Sequence, residues 1–262
     1  MSDPHVVARL RAAGCVWAED EAVLLEGAAT STDELARLVA RRVAGEPLET
    51  VLGWAEFLGR RLAVVPGVFV PRRRTELLAR TTAERARAVP AGPRRPVVVE
   101  LCCGVAPVAA SLEGAGAEVH GCDVSDTALG CARSNAPSAA LHLGDLYDAL
   151  PADLLGRVDV LAANAPYVPT DRVAAMPPEA RDHEPLVALD GGVDGVDLHR
   201  RIAADAPRWL APGGVLLVET SPAQAALTTG AMAAAGLVTG VETDDEVGGC
   251  VAIGVRPGGV SR

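Results

Sequence analysis

The feature that most constrains the fold of this chain is a regular alternation of short apolar runs with helical segments, which begins at residue 97. The first run, VVVEL at 97–101, is almost wholly apolar, as in strands that are covered on both faces of a parallel sheet. Alternation of this kind predicts right-handed βαβ units, with ligands bound beyond the carboxyl ends of the strands. We therefore expect an α/β fold with a doubly wound, seven-stranded, Rossmann-like sheet. The later strands are predicted at 117–123, 139–145, 158–164, 215–220, 237–243 and 250–255.

Helices are predicted between these strands from caps and apolar spacing. One follows the first strand to about Ala115, and Ser125 can cap another that runs through about Asn135. A loop of about 30 residues after the fourth strand precedes a helix near 196–210, and a last helix starts at Pro222.

The first 65 residues have a different, helical pattern. Val6, Val7 and Leu10 have helical spacing, and Ser31 with Glu34 forms a capping box at the start of a second helix. The stretch from about 49 to 71 alternates and contains glycine turns, which predicts a β-hairpin. We predict a helical N-terminal domain at 1–65, joined by this hairpin linker to an α/β domain at 72–262.

Charge and composition exclude some partners. The net charge is −10 and all 24 basic residues are Arg, which argues against affinity for nucleic acid through phosphate neutralisation. A protein or small-molecule partner is favoured instead. Hydrophobic residues make up 49% of the chain and aromatic residues only 3%, so the core must consist of Ala, Val and Leu.

The six cysteines contain no CxxC pair and no histidine at metal-ligand spacing, which predicts free thiols in a reducing compartment. No apolar run reaches membrane-spanning length and no basic-then-apolar leader is present. We therefore expect a cytoplasmic protein that holds no metal and has no membrane association.

Small and polar residues lie where the first three strands end, and together they predict a nucleoside pocket. ELCCGVAP at 100–107 is a turn of mostly small residues, in which backbone amides can face a ligand. Asp123, about 20 residues further on, can accept hydrogen bonds from two ribose hydroxyls. Asp145 and Leu146 can meet the amino group and the face of adenine. The predicted binding residues are Glu100, Cys102, Cys103, Gly104, Val105, Ala106, Asp123, Asp145, Leu146 and Asn164.

The glycine content of the turn distinguishes between two nucleosides. A dinucleotide needs a G-x-G-x-x-G turn for its pyrophosphate, and only Gly104 of such a pattern is present. S-adenosyl-L-methionine has no phosphate, so the missing glycines count against NAD more than against a methyl donor.

The fourth strand ends in NAPY at 164–167, within LAANAPYVPT. With this motif in view, the chain resembles the glutamine-N5 methyltransferases that modify peptide release factors, whose motif is Asn-Pro-Pro-Tyr. The resemblance covers nearly the whole chain. It is carried also by AGEPLETVLGWAEFLG (44–59), VPRRRTELL (70–78), GCDVSDTALGCARSNA (121–136) and EPLVALDGGVDGVDLHRRI (184–202).

The resemblance implies a role for each residue of NAPY. The Asn164 side-chain oxygen and the Ala165 carbonyl are expected to accept the two hydrogens of a glutamine amide. Such acceptors hold the nitrogen in line with the methyl group and favour positive charge that develops on it. Pro166 is expected to keep the backbone rigid, and the Tyr167 ring to pack beside the acceptor as a wall of the site. The implied donor is S-adenosyl-L-methionine, the implied partner a protein such as a peptide chain release factor, and residues 72–262 form the methyltransferase domain.

Three departures from the family pattern bear on these expectations. Ala165 replaces a proline, which loosens the backbone by one fixed φ angle. Cys102 and Ala106 replace two glycines of the Asp-x-Gly-x-Gly-x-Gly turn, and their Cβ atoms are expected to crowd the donor if the backbone there needs a positive φ. Arg73 and Arg74 replace a proline and an acidic residue, which gives RRR at 72–74, either a solvated basic run or a contact for an acidic partner.

Two alternative functions remain open at this point. Related Asn-Pro-Pro-Tyr enzymes methylate exocyclic amines of nucleic-acid bases, which the acidic charge of this chain disfavours. A non-catalytic binding protein that keeps the methyltransferase fold is the other alternative, and the lost glycines motivate it.

Overall fold

The computed structural model describes residues 2–258, and it confirms the predicted seven-stranded α/β sheet. A separate two-stranded hairpin contains β1 and β2, so the sheet comprises β3 to β9 in the spatial order β5-β4-β3-β6-β7-β9-β8. The strands are β3 (Val97–Leu101), β4 (Glu118–Asp123), β5 (Ala140–Leu143), β6 (Val158–Ala163), β7 (Leu210–Glu219), β8 (Val238–Asp244) and β9 (Gly249–Val255).

The strand order reverses between β3 and β6, which lie side by side in parallel. The chain leaves β3 toward β4 and β5 on one side, and continues from β6 to β7 on the other, all in parallel register. Only β9 is antiparallel to its neighbours β7 and β8. The carboxyl ends of β3 and β6 therefore flank a topological switch point, the usual ligand site in such sheets.

Helices cover both faces of the sheet. They are α5 (Thr75–Arg87), α6 (Pro107–Ser111), α7 (Asp126–Asn135), α9 (Asp197–Trp209) and α10 (Ala225–Ala234), with the short α8 (Pro178–His183) in the long loop after β6. One core cluster contains Leu78 and Val98, and a second contains Leu161 and Ile202. The sequence analysis missed α5 and placed the end of α6 near Ala115, whereas α6 ends at Ser111.

The N-terminal region has a core of its own. It contains α1 (Pro4–Ala12), α2 (Ala18–Ala28), α3 (Thr32–Val43) and α4 (Leu48–Leu52), which enclose buried residues such as Leu10, Leu25 and Val39. Ser31 caps α3 as predicted, since its side chain accepts a hydrogen bond from the Glu34 N–H at 3.2 Å. Glu34 accepts in return from the Thr30 N–H at 2.7 Å. The sequence analysis marked only two helices here and did not identify α2.

The linker forms the predicted hairpin, with β1 (Trp54–Phe57) paired to β2 (Arg60–Ala63). Its first residues, however, belong to the helix α4 and not to a strand. Asn135, at the end of α7, fixes the hairpin to the sheet. Its side chain accepts from the Ala63 N–H at 2.7 Å and donates to the Val105 carbonyl at 2.9 Å. The hairpin is thereby tied to the turn that follows β3.

Candidate active site

A cavity of about 400 Å³ opens at the switch point of the sheet. Its walls come from the carboxyl ends of β3, β4 and β6, from the stretch 67–75, and from the loop after β6. Twelve of the thirteen predicted site residues lie at its wall: Glu100, Cys102, Cys103, Gly104, Val105, Asp123, Asp145, Leu146, Asn164, Ala165, Pro166 and Tyr167. Ala106 is not part of the wall and packs in the core.

The turn after β3 keeps a left-handed backbone at alternate positions. Cys102, Gly104 and Ala106 have φ values of 51°, 53° and 61°. Such angles suit glycine and strain a residue that has a Cβ, at about 1–2 kcal/mol each. The chain therefore retains the glycine-type path of the turn without two of its glycines. Cys102 is the substituted residue whose side chain reaches the cavity, whereas the Cβ of Ala106 points into the packed core.

Glu100 anchors this turn. Its side chain is buried and accepts hydrogen bonds from the N–H groups of Val108 and Ala109, at 3.1 and 2.8 Å, in the first turn of α6. Burial raises the pKa of Glu100 to about 8, against the lowering effect of these two N–H groups. Its contribution to the site is to hold the turn and the helix together.

Asp123 links the ends of two strands. Its Oδ2 accepts from the Gly104 N–H at 2.8 Å, and its Oδ1 accepts from the Ser125 N–H at 2.9 Å. Burial raises its pKa, whereas these N–H groups lower it. Each carboxylate oxygen retains a further lone pair at the cavity wall, so the pair can still accept from two hydroxyls of a sugar.

The end of β5 carries a charged pair that the sequence analysis did not identify. Asp145 accepts from the Nη2 of Arg201 at 2.7 Å, and both residues line the cavity. Leu146 beside them is 6% exposed and provides an apolar wall. No sequence signal distinguished Arg201, which lies on α9 more than 50 residues after Asp145.

Asn164 follows the last residue of β6 and lines the cavity. Its Nδ2 donates to the hydroxyl of Thr75 at 3.3 Å, and within residues 2–258 its Oδ1 makes no hydrogen bond. Thr75 has no exposed surface and begins α5, so the amide is held from behind by a fixed element. The oxygen of Asn164 is thus left free to accept a hydrogen bond.

Ala165 is enclosed in this conformation. It has no exposed surface and lies against His199, which is also fully buried. Burial lowers the pKa of His199 to about 4, and the Ala165 backbone opposes that shift. The His199 Nδ1 bonds the Thr228 hydroxyl at 2.9 Å, and its ring centroid lies 6.3 Å from that of Tyr167. Ala165 thus lies between the cavity wall and the buried His199.

Tyr167 is fixed by a buried carboxylate. Its hydroxyl donates to Glu219 Oε1 at 3.2 Å, and the same oxygen accepts from Arg74 Nε at 3.1 Å. The Arg74 guanidinium also lies over the Tyr167 ring, 5.6 Å from its centroid. Burial raises the pKa values of both Tyr167 and Glu219. Glu219, at the end of β7, was not predicted as a site residue because no motif marks it.

Two of the three arginines in the predicted basic run at 72–74 are paired with buried carboxylates. Arg72 pairs with the buried Glu184 at 2.6 Å, and Arg74 pairs with the buried Glu219. Arg73 alone of the three is exposed and forms no ion pair within the described chain. The expectation of a basic patch is corrected, because two carboxylates distant in sequence neutralise two of its three charges.

The loop after β6 packs directly on the NAPY segment. The Gly191 N–H donates to the Val168 carbonyl at 2.8 Å, and a Cβ at Gly191 would lie 2.7 Å from the Pro166 carbonyl oxygen. Gln224 from the segment before α10 donates to the Tyr167 carbonyl at 2.8 Å. Glycine is required at 191 by this close approach of two backbones.

Within residues 2–258 all six cysteines are free, and no cluster of acidic, histidine and cysteine residues could hold a metal ion. No helix in the same range has the length and apolar character needed to cross a membrane.

No protein-family profile matches the chain. A release factor glutamine methyltransferase of Bradyrhizobium diazoefficiens is 34% identical over 255 residues, which cover 89% of this chain and 86% of that protein. The chain belongs to the release factor glutamine methyltransferase family. It is accordingly an enzyme of the methyltransferase class, which confirms the resemblance found in the sequence.

Two Streptomyces relatives extend the comparison. The release factor glutamine methyltransferase of Streptomyces coelicolor is 41% identical over 191 residues, which cover 71% of this chain and 67% of that protein. The 4-amino-L-phenylalanine/4-methylamino-L-phenylalanine methyltransferase of Streptomyces pristinaespiralis is 41% identical over 187 residues, covering 69% and 63%. Among solved structures, a Pyrococcus furiosus methyltransferase aligns with a TM-score of 0.56 at 14% identity, over 85% of this chain and 99% of that one. This likeness supports the fold alone.

Proposed function

We propose that this enzyme transfers a methyl group from S-adenosyl-L-methionine to the side-chain amide nitrogen of a glutamine in a protein such as a peptide chain release factor. The observation that carries the proposal is the Asn164 amide, which presents an unpaired oxygen to the cavity at the switch point. Family membership supports the same acceptor, because two of the relatives described above are named as release factor glutamine methyltransferases.

The residues at the donor end fit the cofactor. The cavity volume of about 400 Å³ is in the range of small-molecule sites. Asp123 offers carboxylate lone pairs for the ribose hydroxyls, Leu146 offers an apolar face for the adenine, and the left-handed turn at 102–106 passes beside the cavity. S-adenosyl-L-methionine would supply a methyl group bound to a sulfonium, which needs no metal for activation.

The acceptor end accounts for the rest of the chemistry. An amide nitrogen is a weak nucleophile, because its lone pair is delocalised into the carbonyl. Asn164 Oδ1 accepts one N–H of the glutamine side chain and so fixes the nitrogen opposite the methyl carbon. With the donor bound, the nitrogen lone pair would form the N–C bond as the carbon–sulfur bond breaks, and the displaced N–H proton would leave to solvent. Asn164 Oδ1 favours the positive charge that develops on nitrogen.

We assign the remaining NAPY residues to the acceptor site as well. Tyr167 forms the wall, and Pro166 restricts the backbone that carries it. The Ala165 carbonyl is the second acceptor. We infer that the N-terminal helices at 1–65 recognise the protein substrate and that 72–262 form the catalytic domain, since the helices have a separate core. With a release factor as substrate, we expect the enzyme in the cytoplasm.

The test is a methylation assay with labelled donor and purified release factor, followed by mass spectrometry of the glutamine-containing peptide. Wild-type enzyme is expected to add one methyl group, and Asn164→Ala to lower the rate by about 100-fold or more. Asn164→Asp is a useful companion, because it keeps the shape and the acceptor oxygen but adds charge. Equal transfer by the wild type and Asn164→Ala would refute the assignment.

A second acceptor class is favoured by Arg74. The family signature has an acidic residue at this position, whereas Arg74 lines the cavity with 42% of its side chain exposed. The Arg74 Nε bonds Glu219, whereas its Nη groups form no hydrogen bond within residues 2–258, so these groups can donate to an acceptor that carries a carboxylate. The Streptomyces pristinaespiralis relative is named for a free amino acid with an aromatic amine. The same assay with such an amino acid in place of the release factor separates the two acceptors.

A further inference from the structure

Glu219 is a buried carboxylate with one oxygen left unsatisfied. Its side chain is 1% exposed, at the carboxyl end of β7. Oε1 accepts from Arg74 and Tyr167, whereas Oε2 is enclosed and receives no hydrogen bond within the described chain. A buried charged oxygen without a donor is costly, so a donor that can turn toward it is expected nearby.

The Thr75 hydroxyl can supply that donor by rotation, although it forms no hydrogen bond to Glu219 within the described chain. Thr75 has no exposed surface and directly follows Arg74, which bonds Glu219, and its hydroxyl lowers the carboxylate pKa. The same hydroxyl oxygen accepts from Asn164 Nδ2 at 3.3 Å. Thr75 therefore stands between the buried carboxylate and the amide that faces the acceptor.

The direction of the hydrogen bonds from Asn164 through Thr75 to Glu219 follows from the number of protons on each group. A hydroxyl has one proton, and an ionised carboxylate can only accept. If the Thr75 proton is directed to Glu219, the Thr75 oxygen can only accept from Asn164. The NH₂ group of Asn164 must then face Thr75, and its oxygen must face the cavity.

We propose that Glu219 is a positioning residue whose negative charge, transmitted through the Thr75 hydroxyl, determines that Asn164 presents its oxygen to the methyl acceptor. The inference rests on the proposed function. With a neutral group at 219, the Thr75 proton is free to bond Asn164 Oδ1. The Asn164 amide then turns over, so that its NH₂ group faces the NH₂ group of the acceptor glutamine. Arg74 supports the ionised state, because it pairs with Glu219 at 3.1 Å.

The pH dependence follows from the groups around the carboxylate. Burial raises the pKa of Glu219, and Thr75, Arg74 and Tyr167 lower it. Cys250 on the neighbouring strand β9 also faces it. As the pH falls through the pKa of Glu219, the carboxylate gains a proton and the orientation of Asn164 is lost. The rate is therefore expected to decline on the acid side.

Thr75 offers a matched pair of substitutions. Thr75→Ser keeps the hydroxyl and is expected to retain kcat within about 3-fold, whereas the isosteric Thr75→Val removes it and is expected to lower kcat about 10- to 100-fold with little change in the donor Kd. Equal kcat values for the two variants would overturn the proposal.

Glu219→Gln tests the charge itself. Arg74 and Tyr167 both donate to the Oε1 position, so the single glutamine oxygen stays there and its NH₂ group faces Thr75. The hydrogen bonds between residue 219, Thr75 and Asn164 then run in the opposite direction, with the Thr75 proton donated to Asn164. We expect kcat to fall by about 10- to 100-fold and the acid limb of the pH profile to disappear.

Arg74→Gln should move the acid limb to higher pH, and Arg73→Gln, at the exposed neighbour, should not move it. An unchanged acid limb in Glu219→Gln would contradict the proposal.

A measurement without turnover separates this inference from the proposed function. The side-chain amide resonances of Asn164 can be assigned by their loss in Asn164→Asp. In the wild type they are expected to show slowed solvent exchange and a pH-dependent shift that Glu219→Gln and Thr75→Val abolish. If the wild type methylates no glutamine but shows this behaviour, the acceptor assignment fails and the positioning role stands. Rapid exchange in the wild type, independent of residue 219, would refute the positioning role.

Discussion

The residues of NAPY are held from behind by groups that have no motif of their own. Thr75 holds the Asn164 amide, Glu219 holds the Tyr167 hydroxyl, and Gln224 holds the Tyr167 carbonyl. Ala165, in place of the family's proline, packs on the buried His199. The conformation of the NAPY segment therefore depends on these neighbours as much as on the motif itself.

His199 gives a prediction at the residue scale. Its folded pKa of about 4 lies below the usual value of 6.5 because of burial. Below pH 6.5 the unfolded chain binds a proton that the folded chain does not, so this residue lowers the free energy of unfolding as the pH falls from 7 toward 4. Between pH 7 and pH 5 the expected loss is about 2 kcal/mol.

Urea denaturation at pH 7 and pH 5 measures this loss. His199→Phe should show a smaller decrease between the two pH values than the wild type does. His5→Gln, at an exposed histidine of α1, serves as the control and should follow the wild type. A decrease of the same size in His199→Phe would show that other groups cause it.

Among the elements, the turn between β3 and α6 is the most unusual. Two residues with side chains, Cys102 and Ala106, adopt the left-handed backbone that glycine normally supplies. The strain is tolerated because the turn is bonded on both sides, to Asp123 from β4 and to Asn135 from α7. The left-handed backbone of this turn is thus held by the surrounding contacts.

Ala106 gives a prediction at the scale of this element. Ala106→Gly removes a buried methyl group but also relieves a positive φ, and these effects oppose each other. Ala110→Gly removes an equally buried methyl group from α6, where the helical backbone disfavours glycine. We expect Ala106→Gly to be less destabilising than Ala110→Gly by about 1–2 kcal/mol. Chemical denaturation of the two variants measures the difference, and equal losses would show that the turn is unstrained.

Across the whole molecule, the N-terminal helices are connected to the loop over the cavity by Arg42. This side chain is 7% exposed and bonds Glu21 of α2 at 2.6 Å and Glu179 of α8 at 2.6 Å. Glu21 is itself nearly buried, whereas Glu179 is half exposed. Arg42 thus bridges the helical region and α8, whose flanking loop residues line the cavity.

Arg42 and Glu179 give a prediction at this largest scale. Arg42→Gln leaves Glu21 buried without a partner and is expected to cost about 3–5 kcal/mol in the free energy of unfolding. Glu179→Gln removes a half-exposed partner and is expected to cost less than about 1 kcal/mol. Thermal and urea denaturation compare the two, and similar losses would mean that the burial of Glu21 does not matter.

The sequence by itself determined the order of the seven strands along the chain, the ends of the strands on which the cavity lies, and the NAPY motif. These depend on local patterns: apolar runs, caps and short turns. It missed α2 and α5, and it misjudged the arginine run at 72–74. Only the tertiary structure decided that Arg74, Tyr167 and Glu219 meet, because they come from three elements separated by up to 145 residues. Pairing of buried charges at such distances leaves no periodic trace in a sequence, since it arises only when the sheet brings the ends of its strands together.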